Sequence, residues 1–364
     1  MTEVSGTHLF TSKTMINSNK GSQNELSELP SVFLGQSKTE SSSSNLGIFE
    51  RTSSKDLQNE INKKYTEIKT TGEKLKPTPD DYNENQLRWK NYVDKQDSET
   101  TKTNQRTYNT FKAMLPDKGN GKIDKPAKQI AGNCWLLGNI NSLASNEVGL
   151  KLLNNNILKD DEKHIIAIHL KEAENNNLPS PDGNGVYTFT EEEIFNAQNR
   201  NSETGLASGD GDIAAYALAI EQYLKETKGG VLSSGEKHFS DGEKVSRMYE
   251  ILTGKKSNEA GSPIKFEMFD KSNSTQNNEK IQSAYNNILD LAKNETGATT
   301  LSMFAHAFSV VGTDGESLLI QESNLSETFK KYFELVPDTF PPTYKLTAEN
   351  FKTYAENYST IKLK

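Results

Sequence analysis

The stretch Gln129-Ile-Ala-Gly-Asn-Cys-Trp-Leu-Leu-Gly-Asn-Ile-Asn-Ser-Leu-Ala144 decides how the rest of the sequence is read. It holds Cys134, the only cysteine of the chain. Gly132 and Asn133 give a turn immediately before it. Leu136, Ile140, Leu143 and Ala144 then recur at helical spacing, and Trp135 and Leu137 widen the apolar face. The pattern predicts a buried helix that begins at the cysteine. N–H groups in a first helical turn have no intrahelical acceptor, and the helix dipole favours negative charge there. Both effects favour thiolate over thiol. A cysteine also serves as a small apolar core residue, so reading it as a nucleophile requires a base elsewhere in the chain.

Composition sets the frame for that search. A chain of 364 residues has room for two domains, or for one large domain with an extension. Apolar residues make up 33%, a low share for a fully packed chain, so part of it is expected to lie outside a core. A net charge of -8 argues against a nucleic-acid partner and against a polybasic membrane anchor. A single cysteine excludes an intramolecular disulfide and a multi-cysteine zinc site. No apolar run reaches the roughly 18 residues of a membrane span, so no membrane insertion is expected. The first residues lack the apolar segment of a conventional signal peptide.

Along the chain, residues 1–50 are rich in Ser, Asn, Thr, Lys and Glu and read as a disordered polar tail, either a plain solvated segment or an uncleaved export signal. Residues 51–115 read as a helical extension. Leu57, Ile61, Tyr65 and Ile68 share one helical face closed by Gly72, Thr78-Pro-Asp-Asp81 opens a second helix, and Tyr108, Phe111 and Leu115 mark a third. Pro116 to Lys122 reads as a loop, without the residue order of an EF-hand. From there to Lys364 helices come first. They follow Asn146, Thr190 (with capping-box spacing to Glu193), the acidic turn at Asp210 and Asp212, Asp241 and Lys280. His164 to Leu170 and Val186 to Thr190 read as strands. The C-terminal third turns to β-prone runs at Ala298–Phe304, His306–Gly312 and Ser317–Ser323, with a hairpin turn at Thr313–Glu316. That order predicts an α+β protein in two lobes.

The candidate bases are His8, His164, His169, His238 and His306. His8 falls in the tail, His164 and His169 on opposite faces of one strand, and His238 in a polar loop. His306 opens a strongly apolar strand, Ala305-His-Ala-Phe-Ser-Val-Val311. Asn324 ends the next strand, and a hairpin would bring it beside His306. An Asn on one imidazole nitrogen leaves the other for the thiol, a Cys-His-Asn arrangement in chain order.

At these residues the sequence resembles calpain-type cysteine proteases. Gly132-Asn-Cys-Trp-Leu-Leu137 resembles the family's cysteine motif, and His306-Ala-Phe-Ser-Val-Val311 its histidine strand. Gly315 to Asn324 stands where the family's strand leads to its asparagine. The helix Ile213 to Tyr223, the glycines of Gly229-Gly230 and Ile251-Leu-Thr-Gly254, and the closing Leu346–Tyr354 and Ile361–Leu363 follow in the family's order. The resemblance covers roughly Asp117 to Lys364 and places a protease core in 116–364.

It implies a papain-like fold, with a helical lobe carrying Cys134 and an antiparallel β lobe carrying His306 and Asn324. It also implies a Cys134–His306–Asn324 triad, an oxyanion hole completed by Gln129, and protein substrates. The sequence departs from the family at three points. The residue six before the cysteine is Lys128, and the glutamine lies five before it; Asn133 replaces an acid; Leu325-Ser326 follow Asn324 where the family has Pro-Trp. No cofactor is implied. Calcium stays open only through acidic loops such as Asp210 and Asp212. The same triad would serve a deamidase or transglutaminase, and a weakened core would serve as a binding module. Oligomeric state cannot be read from the sequence. A leader without a cleavable signal suits a cytoplasmic protein or an exported bacterial effector.

Overall fold

The computed structural model describes residues 54–72, 116–129, 132–179, 182–198, 207–227, 244–271, 275–324, 327–337, 339 and 341–364. The expected tail at 1–50, the helices expected from Thr78 and around Tyr108, the glycines 229–230 and the pair Leu325-Ser326 lie outside the described residues.

Helix α1 (Ser54–Thr71) buries Leu57, Ile61 and Ile68, and Gly72 ends it in the left-handed region. After the two-residue strand β1 (Lys128–Gln129) come α2 (Cys134–Ala144) and α3 (Glu147–Asn155). The Asn146 side chain caps α3 by accepting from the Gly149 N–H. Strands β2 (Ile157–Asp160) and β3 (Ile165–His169), the short helix α4 (Lys171–Asn175) and strand β4 (Val186–Thr190) follow. Helix α5 (Glu191–Gln198) starts with the expected reciprocal cap. Glu193 N–H donates to Thr190 Oγ1 at 3.1 Å, and Thr190 N–H donates to Glu193 Oε2 at 2.7 Å. The strand β5 (Ala207–Ser208) leads to α6 (Gly211–Thr227), which Asp210 caps by accepting from the Asp212 and Ile213 N–H groups. Helix α7 (Arg247–Thr253) ends at Gly254 in the left-handed conformation.

Strands β2, β3 and β4 form an antiparallel sheet in that order. One face takes Leu57, Ile61 and Ile68 of α1 against Ile165, Ala167 and Val186. The other joins Ile166, Ile168, Tyr187 and Phe189 to the large core built from α2 and α6. Being covered on both sides, β3 has no polar face, which is why it reads as an unbroken apolar run.

The remainder comprises β6 (Ile264–Met268), α8 (Thr275–Asn294), β7 (Gly297–Met303), β8 (His306–Thr313), β9 (Leu318–Glu322), a 3₁₀ turn at Thr328–Lys331, β10 (Glu334–Leu335), β11 (Thr343–Leu346), α9 (Ala348–Tyr354) and β12 (Ala355–Lys362). They build a seven-stranded antiparallel sheet in the order β10-β11-β9-β8-β7-β12-β6. Leu301, Phe308, Leu318 and Ile320 of this sheet pack with Ile281, Tyr285 and Ile288 of α8. Ala307 and Thr300 approach α2. The protein is therefore of mixed α+β class with antiparallel sheets. Among the described residues no helix is long and apolar enough to cross a membrane.

Candidate active site

Helix α2 is buried from Trp135 to Ala144, polar residues included. Those polar residues fasten it. Ser142 Oγ donates to the Thr299 carbonyl at 2.8 Å and accepts from the Thr299 N–H at 2.7 Å, so the helix is bonded to the backbone of β7. Asn139 Nδ2 donates to the carbonyls of Trp135 (2.6 Å) and Val245 (2.8 Å). At Gly138 the helix comes so close that an added Cβ would lie 3.1 Å from Thr300 Cγ2 and 3.3 Å from Ala307 Cβ. The Asn133 carbonyl accepts from Leu136 and Leu137, opening the helix with Cys134 in its first turn.

His306 arrives from the other side. Strands β7 and β8 pair Met303 with His306 across a two-residue turn, Phe304-Ala305. Both turn residues have positive φ, 57° and 54°. That is the type I′ requirement, usually met by Asn or Gly. In Phe and Ala it costs about 1 kcal/mol or more apiece.

The two side chains meet. Burial works to raise the Cys134 thiol, but the hydrogen bond and charge of His306, with backbone N–H groups of Ala307 and Trp135, outweigh it and hold the thiol below its ordinary value. Burial works to lower His306, and its hydrogen bonds to Cys134 and Glu322 overcome this and push it up to about 9. Both shifts favour the thiolate–imidazolium form of the pair.

The third member is not the expected one. His306 Nε2–H donates to Glu322 Oε2 at 3.2 Å, which leaves Nδ1 for the thiol. Asn324 contributes its backbone N–H to that same carboxylate oxygen, at 2.9 Å. The β8–β9 ladder supplies the reason. It pairs Phe308 with Glu322 and ends there, and Asn324 lies beyond it in a turn. Glu322 stands diagonally from His306 and is long enough to reach it, with a side chain only 1% exposed. Sequence reasoning passed over Glu322, although an acid inside the wholly buried Leu318-Leu-Ile-Gln-Glu322 was itself a signal.

Gln129 is anchored to the residue after Glu322. Its N–H donates to the Ser323 carbonyl at 2.9 Å, and Ser323 Oγ donates to Gln129 Oε1 at 2.6 Å. With the amide oxygen engaged, the amide N–H groups remain as donors. Lys128, the other candidate for this position, and Gln129 both pair through β1 with β5, opposite Ser208 and Ala207 respectively. Over His306 lies Phe329, its ring within 16° of parallel at 6.0 Å. An aromatic cover is thus present although Pro-Trp is absent.

The other histidines stand apart. His169 is buried between Asn156 and Glu174, and His164 sits beside Glu191. His8 and His238 lie outside the described residues. Asp210 and Asp212 direct their oxygens at backbone N–H groups of Asn120, Gly121, Asp124, Lys125, Asp212 and Ile213, a pattern that pins a loop to a helix start. Among the described residues no group of three or more His, Cys, Asp or Glu is arranged to hold a metal ion. No family model matches the chain, and no curated protein is significantly similar to it.

Proposed function

We propose that this protein is a cysteine endopeptidase with a papain-like core of calpain type. One observation carries the reading: the hydrogen-bonded series Cys134–His306–Glu322, with the thiol drawn below its ordinary value and the imidazole pushed up to about 9. In this reading the helical side carrying Cys134 and the sheet carrying His306 are taken as the two lobes of that fold.

In the proposed reaction the Cys134 thiolate attacks the carbonyl carbon of a peptide bond. The developing oxyanion is met by the N–H of Cys134, which has no acceptor within its helix, and by the Gln129 amide. His306, already protonated, gives its Nδ1 proton to the leaving amine as the C–N bond breaks. Glu322 holds the ring and stabilises its charge through Nε2. Water, deprotonated by the now neutral His306, then releases the acyl group and restores the pair.

Incubation with a denatured protein substrate, followed by mass-spectrometric mapping of the new termini, tests this. Cleavage that disappears in Cys134→Ala and in His306→Ala supports the proposal. A Gln residue converted to Glu with the chain intact would instead assign the same relay to side-chain amides. No product of either kind, together with Cys134 labelling unaffected by His306→Ala, would leave a binding module and overturn the enzyme reading.

A further inference from the structure

Beside His306 the rings continue outward. Phe329, which covers the imidazole, lies 5.6 Å from Phe304 at an interplanar angle of 29°. Phe304 stacks in turn on Tyr332 at 4.6 Å and 28°, and Tyr354 closes the group at 4.9 Å. Phe304 and Phe329 are half-buried, and Tyr332 is 37% exposed. Lys331 holds its ammonium 4.8 Å from the Tyr332 ring centre. The surface is therefore apolar, with the Lys331 ammonium at one edge and the Glu356 carboxylate, which accepts from the Ala305 N–H at 3.3 Å, at another, and it runs directly from the imidazole.

The backbone gives a second, independent reason to regard these rings as functional. Phe304 occupies a turn position with φ 57°, where Asn or Gly would form the same hairpin without strain. Backbone strain of this kind collects at ligand-binding sites. Here it sets an aromatic ring at the hub of the group.

Resting on the acyl-transfer reading, we infer that Phe304, Phe329 and Tyr332 form the subsite for the substrate residue that follows the scissile bond. They select an aromatic or large aliphatic side chain there over a small polar one. The direction comes from the chemistry. His306 must reach the nitrogen of the leaving amine, so the segment departing with that nitrogen passes the imidazole and meets these rings next. An apolar side chain gains from leaving water against them.

The test uses the full chain and a series of peptides that differ only in the residue after the cleaved bond: Phe, Leu, Ser or Lys. The kcat/KM for Phe and Leu is expected about tenfold above that for Ser and for Lys, equivalent to about 1.4 kcal/mol. In Tyr332→Ala, and in Phe304→Asn (which suits the turn), the Phe-to-Ser ratio is expected to fall to about twofold. This ratio is internal to each variant, so a general loss of activity does not move it, and thermal melting establishes that each variant is folded. Equal rates across the series, or a preference that survives both substitutions, overturn the subsite while leaving the endopeptidase. If no peptide is cut while Cys134 remains reactive, the underlying reading falls and the subsite falls with it.

Discussion

Replacing Glu322 with Gln keeps the size and the hydrogen-bond acceptor but removes the charge facing His306. His306 rises from the ordinary 6.5 to about 9, a preference for the charged ring of about 3 kcal/mol at roughly 1.4 kcal/mol per tenfold. Cys134 and Glu322 supply that preference together, against burial. An opposite charge within hydrogen-bond reach shifts a pKa by about 1–3 units, so removing the Glu322 charge is expected to lower His306 by about one pH unit, or about 1.4 kcal/mol.

The assay is the pH dependence of Cys134 alkylation by iodoacetate, with one cysteine in the chain making the product unambiguous. Below the lowered value of Cys134 the thiol is protonated and the rate falls. Above about 9 His306 loses the charge that draws in the anionic reagent, and the rate falls again. In Glu322→Gln the basic limb is expected to move down by about one pH unit. The acid limb is expected to move up, since a less stable imidazolium stabilises the thiolate less. Asn324→Ala should leave both limbs in place, because Asn324 acts through its backbone N–H. A basic limb unmoved by Glu322→Gln, or moved as far by Asn324→Ala, would refute the assignment of Glu322.

Three further outcomes follow from the same geometry. Ser323→Ala removes the hydroxyl that fixes the Gln129 amide. It should lower kcat about tenfold, less than the roughly 10²–10³ for outright loss of an oxyanion donor, with the alkylation profile unchanged; a raised KM at constant kcat would contradict this. Gly138→Ala forces α2 away from Thr300 and Ala307 by a few tenths of an ångström. Overpacking of about 1–3 kcal/mol outweighs a helix-propensity gain of about 1 kcal/mol, so the urea midpoint should fall and Cys134 alkylation slow. Unchanged values would mean the contact is loose. Ala305→Gly relieves a residue at φ 54° and should stabilise by about 0.5–1 kcal/mol, raising the melting temperature by a few degrees. A lower melting temperature would place the strain elsewhere.

Much of the fold is written in local patterns. The apolar face of α1, the capping box at Thr190, the Asp210 cap and the helix opened by Cys134 are all periodicities or short motifs. What such patterns cannot show is a partner. The face of α1 is evident, but its docking on β3, about a hundred residues later, is decided by packing. The breadth of the large sheet was also hidden. Strand β6 alternates as a half-exposed strand should, but it precedes a long helix and joins the sheet only through β12. The candidate site follows the same division. Cys134 and His306 stand out as a thiol at a helix start and a histidine opening an apolar strand. Choosing between Glu322 and Asn324 needed the point where the ladder ends, and that depends on a register shift between Val310 and Gly312. That Gln129 is tied to Ser323 was equally hidden, since the two lie far apart in the sequence.

Glu322 and Ser323 are consecutive residues at one strand end, and each holds a different member of the proposed machinery. One steadies the base, and the other steadies the amide that would receive the oxyanion. The Glu322–His306 bond lies within the sheet, while the contacts of Cys134 with His306 and of Gln129 with Ser323 both join the sheet to the side that carries Gln129 and Cys134. Moving that side away from the sheet would part the thiol from its base and release Gln129 in the same movement. On the proposed reading, base and oxyanion donor would then be gained or lost together.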